Sequence, residues 1–292
     1  MPKLAEIRCR IASTSLLRGR LCLREVVGDV GVLHENPVHS DAVFQVASQF
    51  NVLEMVDPNV TPAEGITGYI YDRTQGPTCA LAAAGGTLYR NYWVPLDGVF
   101  GQTGEVQVDC LADFGRALGN DENDWWIMRN GYVIPNSGGL EAIDAKLESM
   151  TASEQDALRG ELRVGVQWDT EVTRNDAGHT VNQVYGSALP VAYSQESPAM
   201  WARFATLILE ASYEATFGLA ALHAAGGGSN QLFLTRLGGG AFGNADSWIH
   251  QGLLRSLHLF ADVDLDVALV SYGQSQPSVS DLVDRWQAGN NE

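Results

Sequence analysis

A glycine-rich turn follows a short apolar segment at residues 231–237. This segment is short for a helix and has glycines on both sides, which favours a buried strand that ends in a loop. Glycine tolerates positive φ angles and leaves room for a ligand, so backbone N–H groups can surround a phosphate. Glycines also occur in simple turns, in which Phe242 would fold into the core. We predict a ligand-binding loop formed by Gly238, Gly239, Gly240, Ala241, Phe242, Gly243 and Asn244.

Carboxylates that could support acid–base chemistry occur in two segments. In residues 162–173, Asp169 and Glu171 are two positions apart and would lie on one face of an extended strand, about 7 Å apart. That face could equally be the solvated side of a strand in an acidic protein. In the long loop at residues 52–76, Asp72 precedes Arg73, and the pair fits structural ion pairing as well as catalysis.

Polar residues also follow two other predicted strands. Gly28 ends the first strand, so Asp29 lies in a turn, where it either caps backbone N–H groups or accepts a hydrogen bond from a ligand amine. The second strand, at residues 41–47, is apolar nearly throughout, as expected of a strand buried on both faces. Its end points to a crevice in an α/β fold and carries Ser48, Gln49 and Asn51.

Strands and helices alternate along the chain. Apolar periodicity and glycine or proline boundaries predict strands at residues 3–11, 20–27, 41–51, 89–94, 106–111, 162–173, 181–193, 231–237 and 265–272. The same signals predict helices at residues 78–88, 111–119, 139–149, 151–158, 200–225 and 248–260, and a hairpin turn at Asn130 and Gly131. We therefore predict an α/β fold with a central mixed sheet.

The length and charge of the chain narrow the classes of function. With 292 residues, of which 45% are hydrophobic, we expect a single elaborated domain over residues 1–292 with an insertion at roughly 95–160. The formal net charge of −17 would repel a nucleic-acid backbone. The sequence has no apolar run of about 20 residues and no signal-peptide pattern, so we expect no membrane association and a cytoplasmic protein.

The sequence gives no indication of a metal or disulfide site. The four cysteines, at positions 9, 22, 79 and 110, lack the CxxC spacing of zinc sites and do not suggest a disulfide framework. His179 has no second ligand at a suitable spacing. We expect neither a metal nor a cofactor.

Three motifs in this order resemble those of the macro domain, an ADP-ribose-binding module. They are Gly28 with Asp29, the strand at residues 41–48, and the glycine loop at residues 237–243. The resemblance implies a three-layer α/β/α fold with insertions. It also implies that Asp29 holds the adenine amine, that residues 48–51 reach the distal ribose, and that residues 238–244 wrap the diphosphate.

Within this superfamily the sequence is similar to arginine-specific ADP-ribosyl hydrolases of bacterial effectors and their homologues. That similarity implies cleavage of the N-glycosidic bond between ADP-ribose and an arginine side chain, with an ADP-ribosylated protein as substrate. The abundance of carboxylates fits this reading, because a guanidinium is a permanent cation with five hydrogen-bond donors. Asp169 or Asp72 would activate water, and Glu171 would hold the guanidinium.

Three alternative functions fit the same residues. A reader module would bind ADP-ribose through the same loops without turnover. A poly(ADP-ribose) glycohydrolase would cleave an O-glycosidic bond, although the paired glutamates of those enzymes are absent here. A nucleotide-using metabolic enzyme could also contain such a glycine loop.

Overall fold

A mixed sheet of six strands forms the centre of the computed structural model, which describes residues 1–289. The strands in this part of the chain are β1 (Cys22–Val27), β2 (Val43–Ala47), β3 (Pro95–Leu96), β4 (Val99–Phe100), β5 (Trp126–Arg129), β6 (Tyr132–Pro135), β7 (Gly165–Glu171), β8 (Thr180–Gly186), β9 (Gln231–Leu234) and β10 (Asp266–Ser271). The order in the sheet is β1-β10-β9-β2-β8-β7. All neighbours are parallel except β7, which is antiparallel to β8. Strands β3 with β4 and β5 with β6 form two separate hairpins.

Helices surround this sheet. They are α1 (Leu4–Ala12), α2 (Val30–Glu35), α3 (Gln75–Ala82), α4 (Ala84–Leu88), α5 (Ala112–Leu118), α6 (Gly139–Ser149), α7 (Ala152–Arg159), α8 (Ala202–Ala225), α9 (Asp246–Leu259) and α10 (Pro277–Gly289). Within residues 1–289, no helix is both long enough and apolar enough to cross a bilayer.

Successive residues of β2 contact helices on opposite faces of the sheet. The Phe44 ring stacks on His34 of α2, with ring centroids 3.8 Å apart. Next to it, Gln45 Nε2 donates a hydrogen bond of 3.1 Å to Thr216 Oγ1 of α8. Because side chains of a strand alternate between its two faces, α2 and α8 lie on different faces. This arrangement confirms the predicted three-layer α/β/α fold with a mixed sheet.

The segment at residues 95–160 packs into the same hydrophobic cluster as the sheet. The Phe204 ring of α8 lies 5.8 Å from the ring of Phe114 and 5.4 Å from that of Trp126, measured between centroids. The division of the chain into domains stays a prediction.

The N-terminal segment is a helix, so the predicted strand at residues 3–11 is wrong. Helix α1 buries Leu4 and Ile7, which are one helical turn apart, and packs against α8. Its first turn is closed by Glu6, whose carboxylate accepts a 3.0 Å hydrogen bond from the backbone N–H of Lys3. The short apolar pattern fits the period of a strand as well as that of a helix, and the packing of α1 against α8 decides in favour of the helix.

Two further predicted strands are wrong. Residues 89–94 form a π-helical turn, Tyr89–Trp93, that continues α4. This turn buries the consecutive residues Arg90 and Asn91, whereas a half-buried strand would bury alternate residues. Residues 106–111 form an irregular connection that leads into α5.

Candidate functional site

A cavity of about 530 Å³ lies at the carboxyl ends of the parallel strands. This volume is in the range of pockets for small organic ligands, and crevices of α/β folds form at this edge of the sheet. Each of four neighbouring strands continues into the cavity wall. The residues involved are Gly28 and Asp29 after β1, Ser48 and Gln49 after β2, Thr235 after β9, and Ser271 with Tyr272 at the end of β10.

The glycine loop after β9 forms one wall of the cavity. Gly238 has a φ of +74° and Gly243 a φ of +70°, which favour glycine over residues with a Cβ atom. Asn244 joins the two ends of the loop, because its backbone N–H donates to Gly238 O at 2.9 Å. Its Nδ2 donates to Leu189 O at 2.8 Å and holds the loop against the segment that follows β8. Gly238, Gly239, Gly240, Ala241 and Phe242 line the cavity, whereas Gly243 and the buried Asn244 shape the loop from behind.

The crest of this loop offers unused hydrogen-bond donors. In the described part of the chain, the backbone N–H groups of Gly240, Ala241 and Phe242 donate to no protein acceptor. Such consecutive free N–H groups form a concave anion site. The Phe242 ring lies 5.3 Å from the Tyr132 ring and 5.7 Å from the Tyr193 ring, measured between centroids, so it supports the loop and also lines the cavity.

Asp29 lies at the far end of the cavity from β2. Its Oδ1 accepts a 2.7 Å hydrogen bond from the N–H of Gly31 and thereby caps α2. The carboxylate also lines the cavity, so capping and ligand contact are compatible. Tyr272 lines the same end with 69% of its surface exposed. The sequence prediction missed Tyr272, although an aromatic residue directly after the last strand was a usable signal.

The polar residues after β2 have different roles. Ser48 and Gln49 line the cavity. The Gln49 side chain also organises the following loop, because it accepts from the N–H of Met55 at 2.8 Å and donates to Met55 O at 3.1 Å. Asn51 is fully buried, donates to Gln107 Oε1 at 2.9 Å, accepts from the N–H of Leu53 and is not among the cavity-lining residues, so its contact with the ligand stays a prediction.

A buried ion pair forms part of the cavity floor. Glu54 lines the cavity, and both of its carboxylate oxygens lie 3.0 Å from Nη2 of Arg90. Burial raises the pKa of Glu54 to about 7, although Arg90 acts in the opposite direction. Arg90 is held by Val52 O, by the Tyr185 hydroxyl and by Gln167 Oε1. No local feature of the sequence separates Glu54 from the other acids of the same loop.

Asp72 is the predicted catalytic residue that the structure brings to the cavity. Its Oδ1 accepts a 2.8 Å hydrogen bond from the N–H of Thr74, which fixes the carboxylate at the start of α3. Arg73 is exposed and lines the cavity beside it, and no ion pair joins the two within residues 1–289. The close approach of α3 requires Gly76, because a Cβ there would overlap Ala47 O of β2.

Asp169 and Glu171 lie at the opposite end of the sheet, so the structure does not support their predicted position in the site. Strand β7 is antiparallel to β8, and its carboxyl end pairs with the start of β8, where Glu171 faces Thr180. The Asp169 N–H donates to Asn182 Oδ1 at 3.0 Å, and Asn182 pairs with the first residue of β2. A register shift in β7 also gives Asp169 a φ of +52°, which breaks the expected row of side chains.

No metal-binding group of His, Cys, Asp and Glu side chains is present within residues 1–289. Among the residues described, the charged side chains that line the cavity are three carboxylates, Asp29, Glu54 and Asp72, and two arginines. Arg73 and Arg236 are these arginines, and Arg236 pairs with Asp246.

Comparison with solved structures identifies the fold. A mutant poly(ADP-ribose) glycohydrolase from Deinococcus radiodurans in complex with ADP-ribose superimposes with a TM-score of 0.50 at 11% identity, covering 99% of this chain and 91% of that one. A second mutant of that enzyme gives 0.48 at 12%, covering 98% and 90%. A mutant macrodomain from Oceanobacillus iheyensis gives 0.41 at 11%, covering 95% of both chains.

Sequence comparisons add nothing to this result, since no protein-family model and no curated protein matches the chain. The first structural match shows the fold alone, because its sequence identity is low. This chain has a divergent macro-domain fold like that of the glycohydrolase, as the resemblance implied.

Proposed function

We propose that this chain, which shares the fold of a poly(ADP-ribose) glycohydrolase, binds ADP-ribose in the cavity and hydrolyses its N-glycosidic bond to a protein arginine. One observation carries the proposal. The sheet order β1-β10-β9-β2 places the free donors of the glycine loop between an aromatic end, with Asp29 and Tyr272, and a carboxylate end, with Glu54 and Asp72. A base, a diphosphate and a scissile ribose follow one another in the same order in an ADP-ribosylated side chain.

The aromatic end suits the adenine. Tyr272 is exposed and can stack on a base, because every base has a polarisable face. The Asp29 carboxylate has an oxygen that does not cap α2, and this oxygen can accept a hydrogen bond from the exocyclic amine.

The middle of the cavity suits the diphosphate. The free N–H groups of Gly240, Ala241 and Phe242 are donors for phosphate oxygens. Arg73 lines the same cavity, pairs with no acid in the described part of the chain and provides local positive charge in a chain whose net charge is −17, whereas Asp246 compensates the charge of Arg236. Binding of an anion to this acidic protein is therefore governed by local groups and not by the net charge.

The carboxylate end suits the chemistry of the glycosidic bond. Asp72 accepts a proton from water as the water oxygen bonds to the anomeric carbon of the ribose. The bond from that carbon to the guanidino nitrogen breaks, and its electron pair stays on the nitrogen. Glu54, with its pKa raised to about 7 by burial, donates a proton to the departing guanidine. The proton on Asp72 then returns to Glu54 through solvent, so the reaction consumes one water and no other reactant.

The arginine linkage rests on the same carboxylates. A glycosylated guanidinium carries a positive charge, which a carboxylate-rich end stabilises, whereas a glutamate ester linkage carries none. The start of α3, where poly(ADP-ribose) glycohydrolases have paired glutamates, contains Gln75, Gly76 and Pro77 here. This difference supports a reaction other than cleavage of the ribose–ribose bond.

The test follows ADP-ribose release from a protein modified on arginine and from one modified on glutamate, each with and without Mg²⁺. We expect release from the arginine-linked protein only. An Asp72→Asn variant should bind ADP-ribose and release little of it. If wild-type protein binds ADP-ribose and cleaves neither substrate, the chain is a reader module and the proposed hydrolysis is wrong.

A further inference from the structure

One stretch of the chain contains an unusual share of the exposed apolar surface. Of the 19 large apolar side chains that are exposed within residues 1–289, nine fall within residues 56–100. Scattered exposed apolar residues are normal, whereas a concentration of them marks an interaction surface. Five of the nine are aromatic, and we call them the aromatic rim: Tyr71, Tyr89, Tyr92, Trp93 and Phe100.

Hydrogen bonds join the turn at residues 89–93, which contains three residues of the aromatic rim, to the loop at residues 62–66. The Tyr92 hydroxyl accepts a 3.3 Å hydrogen bond from the N–H of Ile66, and Asn91 Nδ2 donates to Pro62 O at 3.1 Å. Phe100 belongs to the hairpin β3–β4, where it pairs with Pro95. Tyr92 and Phe100 thus project from an ordered support, so their exposure does not reflect a frayed loop.

One member of the aromatic rim adjoins the carboxylate end of the cavity. Tyr71, 86% exposed, directly precedes Asp72 of the cavity wall. Exposed Val56 is itself part of the cavity wall, and its carbonyl accepts a 3.4 Å hydrogen bond from the Tyr193 hydroxyl. A protein whose modified arginine occupies this end of the cavity must place its neighbouring residues beside Tyr71 and Val56.

The charges of this stretch favour a basic partner. Residues 56–100 contain four acids, Asp57, Glu64, Asp72 and Asp97, and two arginines. One of these arginines, Arg90, is buried against Glu54 and offers no charge to a partner. Aromatic faces beside carboxylates attract lysine and arginine side chains by cation–π and ionic interactions.

We propose that the aromatic rim binds the protein segment around the modified arginine, and that this segment is rich in lysine and arginine. The inference rests on the proposed function and adds the chemical class of the substrate. It assigns recognition of the protein to the aromatic rim and recognition of ADP-ribose to the cavity.

The experiment measures KM and kcat for three substrates: free ADP-ribosyl-arginine, and arginine-linked ADP-ribosyl peptides flanked by basic or by acidic residues. For wild-type protein we expect a KM about tenfold lower with the basic peptide than with the acidic one. The double variant Tyr71→Ala, Phe100→Ala should raise KM for the basic peptide about tenfold without a change in kcat. Its KM and kcat for free ADP-ribosyl-arginine should equal those of the wild-type protein. Leu259→Ala, which removes an exposed apolar side chain of α9, is the matched control and should change neither KM nor kcat for any of the three substrates.

The outcomes separate the two proposals. If no substrate is turned over, the proposed hydrolysis is wrong. The dissociation constants of the same substrates, compared between wild-type protein and the double variant, still test the aromatic rim. If the double variant affects free ADP-ribosyl-arginine and both peptides equally, or none of them, the aromatic rim does not bind the substrate protein. A dimer of wild-type protein that the double variant dissociates would assign this surface to a second copy of the chain and also overturn the inference.

Discussion

Arg90 and Glu54 form an ion pair beneath the cavity in which the side chains are only 4% and 1% exposed. Breaking a buried pair leaves one charge without compensation, and this costs about 3–5 kcal/mol in proteins. Burial has raised the pKa of Glu54 from 4.5 to about 7, so the folded state binds more protons than the unfolded state between these values. This group therefore contributes stability at low pH that is lost as the pH rises through about 7.

Replacement of Arg90 by Met should destabilise the protein more at alkaline than at acidic pH. Without the cation, the neutral carboxyl group of Glu54 needs no partner at pH 5.5, whereas at pH 8.5 it must either ionise without a partner or keep a proton that the unfolded chain releases. We expect a loss of about 3–5 kcal/mol at pH 8.5 and a smaller one at pH 5.5, measured by urea denaturation. Arg203→Met, which removes an exposed partner of Asp144, should cost less than about 1 kcal/mol at both values. Equal losses for Arg90→Met at the two pH values would contradict this account.

The pH profile of hydrolysis should depend on Glu54. If Glu54 donates a proton to the guanidine, kcat should fall as the pH rises through about 7, because the donor is then ionised. Glu54→Gln should lower kcat by about 10²–10⁴-fold and remove this decline. A Glu54→Gln protein that remains folded and keeps the wild-type profile would rule Glu54 out as the acid.

Asp72 and Asp169 should differ in their effect on catalysis. Asp72→Asn should lower kcat for the arginine-linked substrate by about 10²–10⁴-fold, because Asp72 lies in the cavity wall. Asp169→Asn should leave kcat unchanged, since Asp169 lies beside Asn182 at the other end of the sheet. Measurement of both variants at saturating substrate tests the assignment, which fails if Asp169→Asn is the slower enzyme.

Two glycines of the loop should respond differently to alanine. At Gly238 the φ is +74° and a Cβ atom would lie 2.5 Å from the Ala188 Cβ, so Gly238→Ala should distort the loop and weaken ADP-ribose binding at least tenfold. A Cβ on Gly240 meets no protein atom within 4 Å, so Gly240→Ala should fold like the wild-type protein. Because Gly240 lines the cavity, this variant controls for folding and not for binding. Titration calorimetry gives the dissociation constants, and thermal unfolding shows whether both variants fold. Equal binding by Gly238→Ala and wild-type protein would exclude a role for the loop geometry.

Tyr272 should contribute to affinity only when the ligand has a base. Stacking of one base on an aromatic side chain is worth about 1–3 kcal/mol, so Tyr272→Ala should weaken ADP-ribose binding roughly tenfold or more. Binding of ribose 5-phosphate, which lacks the base, should not change. A parallel loss for both ligands would show that Tyr272 supports the fold of the cavity and does not stack on adenine.

Local signals in the sequence predicted much of the cavity. The glycines between β9 and Asn244 predict a tight loop, because positive φ angles restrict the residue type to glycine in most cases. The apolar run at residues 41–47 and the turn at Gly28 and Asp29 are equally local. These features identified two strand ends and the loop that meet at one edge of the sheet, because parallel strands have their carboxyl ends on the same side.

Tertiary structure alone decided which carboxylates reach the cavity. Asp169 lies in a predicted strand and Asp72 in a predicted loop, and neither position shows which of the two acids reaches the cavity. The antiparallel direction of β7 places Asp169 away from the site. Glu54 differs from the other acids of its loop through burial against Arg90, a residue 36 positions away. Strand direction and burial both depend on contacts between distant parts of the chain. Residue type and short-range spacing do not contain that information, whereas they do contain the backbone preferences of the glycine loop.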